Sequence, residues 1–180
     1  APFDDLYRVP LAQTFASTKN LQAFTVIANH WKSKGGCEEA EGGNRDQGDG
    51  QGCWNAARVE AARALDRWIA SDPTAAGNAR HLVIGDLNSY SQEDPLRLLR
   101  NAGWVDGQVA PVNPQAIASF SADCVDDSIS FLSPSLANDL ASAQVWSINA
   151  DESEVFGYAH VKQVDPENAV FRSSDHDPLV

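Results

Sequence analysis

With 180 residues, 43% of them hydrophobic, the chain is long enough for one domain with its own apolar core. Its formal charge of −12 excludes a protein that coats nucleic acid through general electrostatics, because phosphates must be met by lysine and arginine. An enzyme acting on phosphate esters stays open, since carboxylates that hold a divalent cation become locally cationic once the metal is bound. No run reaches the roughly 18 apolar residues that a membrane helix needs, so no membrane span is expected. The opening stretch APFDDLYRVPLAQTF is acidic and broken by prolines, unlike a signal peptide, although a mature secreted chain would already have lost one.

The first predicted element is LQAFTVIAN (21–29), short and dense in β-branched and apolar residues, which reads as a strand buried on both faces. After it, Cys37 and Cys53 bracket EEAEGGNRDQGDGQG, a loop with almost no apolar residue that benefits from a covalent clamp. A Cys37–Cys53 disulfide is therefore expected, the alternative being two reduced, inert thiols, and Cys124 is left over. Zinc is not expected, because neither cysteine has a second thiol or imidazole at ligand spacing. Asp46, Asp49 and carbonyls of this loop are oxygen ligands of the kind calcium takes, but their spacing does not match an EF-hand, which leaves a solvated loop as the reading.

CWNAARVEAARALDRWIA then changes period. Trp54, Ala57, Ala61, Leu65, Trp68 and Ile69 recur every three or four residues, with Arg58, Arg63 and Arg67 among the polar positions, so an amphipathic helix is predicted, ending before the turn-rich SDPTAAGNA. HLVIGDLN (81–88) reads as a second buried strand running into polar residues. EDPLRLLRNAG carries a helix's punctuation, with Asp94 as N-cap, Pro95 at the first helical position and Gly103 past the end. SISFL and AQVWSIN look like strands separated by Pro/Ser/Asn turns, and the whole order suggests an α/β sandwich with a mixed sheet.

Three polar clusters fall at or just past strand ends, where open α/β sheets place their ligands: NHWKSKG (29–35), GDLNSY (85–90) and SSDHDP (173–178). Taken singly, each has a bland reading. His30 is then a satisfied core histidine, Asp86 and Asn88 form an Asx turn after a strand, and Asp175 caps a turn. In this order the three clusters together resemble the endonuclease/exonuclease/phosphatase superfamily, the DNase I-like fold. Within it, PLAQTF, GDGQGCWNAAR, EDP, LSPSL, INADE and RSSDHDP are similar to the extracellular bacterial nucleases, a likeness spanning nearly the whole chain.

That resemblance implies a DNase I-like α/β sandwich of mixed sheets flanked by helices and a secreted, Mg2+-dependent phosphodiester hydrolase of low sequence specificity, with Mn2+ or Ca2+ as alternative cations. A phosphodiester repels hydroxide, so its hydrolysis needs a cation on the phosphate, a base for the nucleophile and donors for the growing charge. By the resemblance His176 is the general base, Asp175 binds or helps place the metal, Asp86 orients the attacking water, Asn88 holds the water or a phosphate oxygen, and His30 donates to the scissile phosphate. Arg8 matches a phosphate-contacting arginine of some relatives, Asn29 falls with the substrate-binding residues, and Lys32 and Lys34 are candidates to line the groove; surface roles are the plain alternative for Arg8 and both lysines.

The sequence departs from the family pattern in two places. The metal-binding glutamate of the family's first half has no counterpart before residue 20, so residues 1–180 read as a single domain or as the C-terminal half of one, needing an N-terminal half in cis or as a separate chain and having little nuclease activity alone. The aspartate that orients the general base falls on Ser128, with Asp127 one residue earlier, so Asp127 can substitute only through a bulge that re-aims it. Nucleic acid is the expected substrate. A phosphomonoester or phospholipid headgroup on the same fold is the second reading, and a non-catalytic extracellular interaction module the third.

Overall fold

The computed structural model describes residues 8–107 and 128–141. Five strands form one mixed sheet: β1 (Leu11–Ala16), β2 (Ala23–His30), β3 (His81–Asp86), β4 (Val105–Asp106) and β5 (Ser128–Leu132), in the order β1-β2-β3-β5-β4. β1 pairs antiparallel with β2, β2 parallel with β3, and β5 antiparallel with both β3 and β4. A parallel pair cannot be joined by a tight turn, and the crossover from β2 to β3 carries the disulfide loop and the helix α1 (Asn55–Ala70). α2 (Asp94–Asn101) follows β3, and the short α3 (Pro134–Ala137) follows β5.

Register places Ile27, Val83 and Phe131 in one row across three strands. These side chains form a buried core with Ala61, Ala62, Leu65 and Ile69 of α1 and Leu96 and Leu99 of α2. The helical period predicted for α1 is therefore the period of its buried face. Arg58 departs from it. Expected among the polar positions, it is 0% exposed and donates to the carbonyls of Gln51 and Cys53 at 2.9 Å and of Lys32 at 3.3 Å. Its two terminal nitrogens make all three of these bonds, holding the carbonyls of the segments before the start of α1.

The strand read as buried on both faces, and the second strand read as buried, are buried chiefly on one face. Thr25, Ile27 and Asn29 alternate with half-buried or exposed neighbours along β2, and Val83 is the buried residue of β3. On the second face, Leu11 is 70% and Phe15 49% exposed, beside half-buried Phe24, Val26, Leu82 and Ile84. Alternation has period two in a strand, so one apolar row can face helices while the next does not.

The Cys37–Cys53 bridge forms, with Cα atoms 5.5 Å apart. Beneath it Ala40, Cys53, Trp54 and Ala57 make a small second core, and Asn44 Oδ1 accepts from the Ala57 N–H at 2.9 Å, supplying one of the partners that the start of α1 lacks within the helix. Replacing both cysteines by serine should cost about 3 kcal/mol of stability for a loop of this length. Denaturant unfolding of the full chain measures it, and an unchanged midpoint would show that the loop is held without the bridge. Asp46 and Asp49 each accept from a backbone N–H two residues on, Gly48 at 2.8 Å and Gln51 at 3.0 Å. The Gln51 backbone and then side-chain bonds hold the Asp49 carboxyl below the usual carboxylate range. Cys124 and AQVWSIN lie outside the described residues.

The helix signal at 93–103 needs one correction. Glu93, with extended backbone, is the N-cap, so Pro95 is the second helical residue and Asp94 the first, where its carboxylate lies at the positive end of the helix. Gln51 grips it from the disulfide loop, its Oε1 accepting from the Asp94 N–H at 2.8 Å and its Nε2 donating to Asp94 Oδ2 at 2.9 Å. Gly103 follows the helix at φ 97°, as its place past the end predicted. No helix among the described residues is long and apolar enough to cross a membrane.

Candidate active site

Parallel pairing sets His30 opposite Asp86, at the carboxyl ends of β2 and β3. Paired residues share a face, so both side chains stand on the half-exposed side of the sheet, away from α1 and α2. His30 Nε2 lies 3.6 Å from Asp86 Oδ2, and Arg8 Nη1 donates to His30 Nδ1 at 2.6 Å. A guanidinium can only donate. Nδ1 is therefore the lone-pair nitrogen, and the ring proton sits on Nε2, the nitrogen turned toward Asp86.

Asp86 does two things at once. Its Oδ1 accepts from the Asn88 N–H at 2.8 Å, which is the Asx turn of the bland reading, while Oδ2 faces the histidine. Asn88 sits at φ 48°, a left-handed conformation that asparagine tolerates, and its Nδ2 donates to the Trp31 carbonyl at 3.1 Å. The amide expected to hold water or phosphate thus also staples the loop after β3 to the segment after β2. Gly85 brings the two strands together. At φ 122° a Cβ there would lie 2.0 Å from the Asn29 carbonyl oxygen.

Two expected substrate contacts are placed elsewhere. Asn29 is buried on the opposite face from His30, and its Nδ2 donates to the Ile27 carbonyl at 3.1 Å; one step along a strand reverses the side chain, so it does not stand beside the histidine. Lys32 puts its ammonium 4.6 Å from the Trp54 ring centroid and donates to the Gly35 carbonyl at 3.3 Å, contacts that support the start of α1. Lys34 reaches the loop after β3, where Nζ lies 2.5 Å from Glu93 Oε1 and 3.7 Å from the Tyr90 ring centroid. Neither partner was foreseen, although Tyr90 stands inside the GDLNSY stretch.

Asp175, His176 and Asp127 lie outside the described residues. Ser128 does not: its backbone pairs with Asp86, so the position on which the family's orienting aspartate falls lies in the same cross-strand row as His30 and Asp86. Among the described residues no group of three or more His, Cys, Asp or Glu gathers to hold a cation. Asp86 is the one carboxylate beside His30 there, too few for a hard cation that takes about six oxygens. The described residues alone do not fit Mg2+.

No protein-family model matches the sequence, and no curated protein does. Among solved structures the chain is similar to the human Nocturnin catalytic domain with bound sulfate anion, at 12% identity and a TM-score of 0.47, over 74% of this chain and 48% of that one. The chain thus spans about half the length of that domain.

Proposed function

We propose that the chain is the site-bearing part of a metal-dependent phosphodiester hydrolase of the DNase I-like superfamily, a secreted nuclease of low sequence specificity. The observation that carries this reading is the row His30–Asp86, with Asn88 locked to Asp86 and Arg8 behind the imidazole: three residues singled out by the ordered clusters, and the arginine matched to some relatives, meet at the carboxyl ends of β2 and β3. In the proposed reaction the His30 Nε2–H donates to a phosphate oxygen, its tautomer fixed by Arg8. Asp86 and Asn88 orient the water, and His176 takes the proton from it. A divalent cation, when bound, would supply positive charge to the phosphate. Asp175 and carboxylates of a preceding half would hold it, and the exposed Leu11 and Phe15 support a partner surface of that kind over the second sheet face. The disulfide is compatible with secretion.

Plasmid nicking tests the proposal, using the 180-residue chain and the whole enzyme, each with Mg2+ and with chelator. The whole enzyme should cut, chelator should abolish cutting, and the chain alone should cut little. Failure of the whole enzyme to hydrolyse DNA, RNA and bis(4-nitrophenyl) phosphate would sink the reading, and so would activity that survives the chelator.

A further inference from the structure

A second group of side chains, in the segments that follow the strands of His30 and Asp86, is not used by the proposed reaction. The segments after the parallel strands β2 and β3 carry Lys34 and Tyr90, and they meet: the Lys34 ammonium lies over the Tyr90 ring, 3.7 Å from its centroid. Glu93, 5% exposed, fixes the ammonium through Oε1 at 2.5 Å, and the Glu93 N–H donates to the Tyr90 carbonyl at 2.9 Å. The ring is thus immobilised through its face and its backbone. It nevertheless stays 47% exposed, unlike the buried Leu87 and Ser89 around it.

We propose that Tyr90, backed by Lys34 and Glu93, is a stacking platform for an unpaired nucleobase of a single-stranded nucleic acid whose phosphate lies at His30 and Asp86. The inference rests on the hydrolase reading and names its substrate class. Tyr90 follows Asn88 by two residues, so their Cα atoms are at most about 7.6 Å apart. The charge pattern selects the base over the phosphate. Glu93 compensates Lys34 at close range, so the unit adds no net positive charge, and a chain of charge −12 gains little from general attraction to phosphates. A base stacks on an aromatic ring whatever its identity, which suits an enzyme of low sequence preference. A ring already held in place loses little freedom when the base arrives.

Fluorescence anisotropy in chelator, with the full chain and labelled oligonucleotides, separates bases from phosphates. The probes are a thymidine dodecamer and an abasic dodecamer of the same charge. Wild type should bind the thymidine probe about tenfold tighter than the abasic one. Tyr90→Ala should erase that preference, and Tyr90→Phe should keep it. Equal affinity of wild type for both probes overturns the platform while leaving the hydrolase reading intact. Preference surviving in Tyr90→Ala, or lost in Tyr90→Phe, overturns it as well, the last case pointing to the hydroxyl. Binding of neither probe overturns the platform too; the hydrolase reading then falls only if the whole enzyme also fails to hydrolyse bis(4-nitrophenyl) phosphate.

Discussion

Asp86→Asn should lower kcat of the whole enzyme by about a hundredfold or more while leaving its thermal midpoint nearly unchanged. The two oxygens of Asp86 have separable duties. Asparagine can keep the carbonyl oxygen that accepts from the Asn88 N–H, so the turn after β3 survives. It then places an NH2 group where Oδ2 faced His30 Nε2 at 3.6 Å. Since Arg8 fixes Nδ1 as the acceptor, Nε2 carries the proton, and two donors would confront each other. The imidazole must turn away or give up its bond to Arg8, and either loses the donor proposed for phosphate. Steady-state kinetics with thermal unfolding decides it. A kcat within threefold of wild type would remove Asp86 from the chemistry and leave it as a turn residue.

Gly85→Ala should destabilise the fold by about 3 kcal/mol or more, the largest stability loss expected among the described glycines. Two effects combine there. A φ of 122° is one that residues with a side chain rarely adopt, and the added Cβ would meet the Asn29 carbonyl oxygen at 2.0 Å, backbone against backbone with no side-chain end to swing aside. Relief requires β2 and β3 to separate at the very end that carries His30 and Asp86. Gly48→Ala is the control: its φ of 71° is also left-handed, but no atom lies within 4 Å, so about 1 kcal/mol is expected. Denaturant midpoints for both variants give the comparison. Equal losses would mean that the close approach of the strands contributes nothing beyond backbone conformation.

Much of the scaffold was legible because its signals are local. The apolar positions from Ala57 to Ile69 repeat with the helical period and are the buried face of α1, and SISFL is β5 from end to end. Local rules also reach their limit quickly. β1 and β4 were not anticipated, since Leu11–Ala16 has an exposed or half-exposed pattern typical of a sheet edge and Val105–Asp106 is too short to show alternation. By composition Asp94 is a better capping residue than Glu93, and it is the bond from Gln51, 43 positions earlier, that favours Asp94 inside the helix.

The candidate site divides in the same way. The residue types His30, Asp86 and Asn88 were readable from NHWKSKG and GDLNSY, and strand alternation by itself says that Asn29 must face away from His30. Arg58 in the polar series of α1 gave no sign that it would be buried. Tyr90 and Lys34 gave none that they would meet.

What the sequence determined on its own was the period of the helices, the placement of the strands β2, β3 and β5, the cysteine pair and the identity of the polar clusters at strand ends, because each depends on residues within a few positions or on chemistry intrinsic to the side chain. Only the tertiary structure decided that His30 stands opposite Asp86, that Arg8 sets the histidine's tautomer, that Arg58 closes on loop carbonyls and that Lys34 backs Tyr90. Those pairs are separated by as many as 56 positions, and parallel register together with the crossover through α1 brings them within a few ångströms. Local preference carries no information on such register, because it is set by the simultaneous burial of Ile27, Val83 and Phe131 against the two helices.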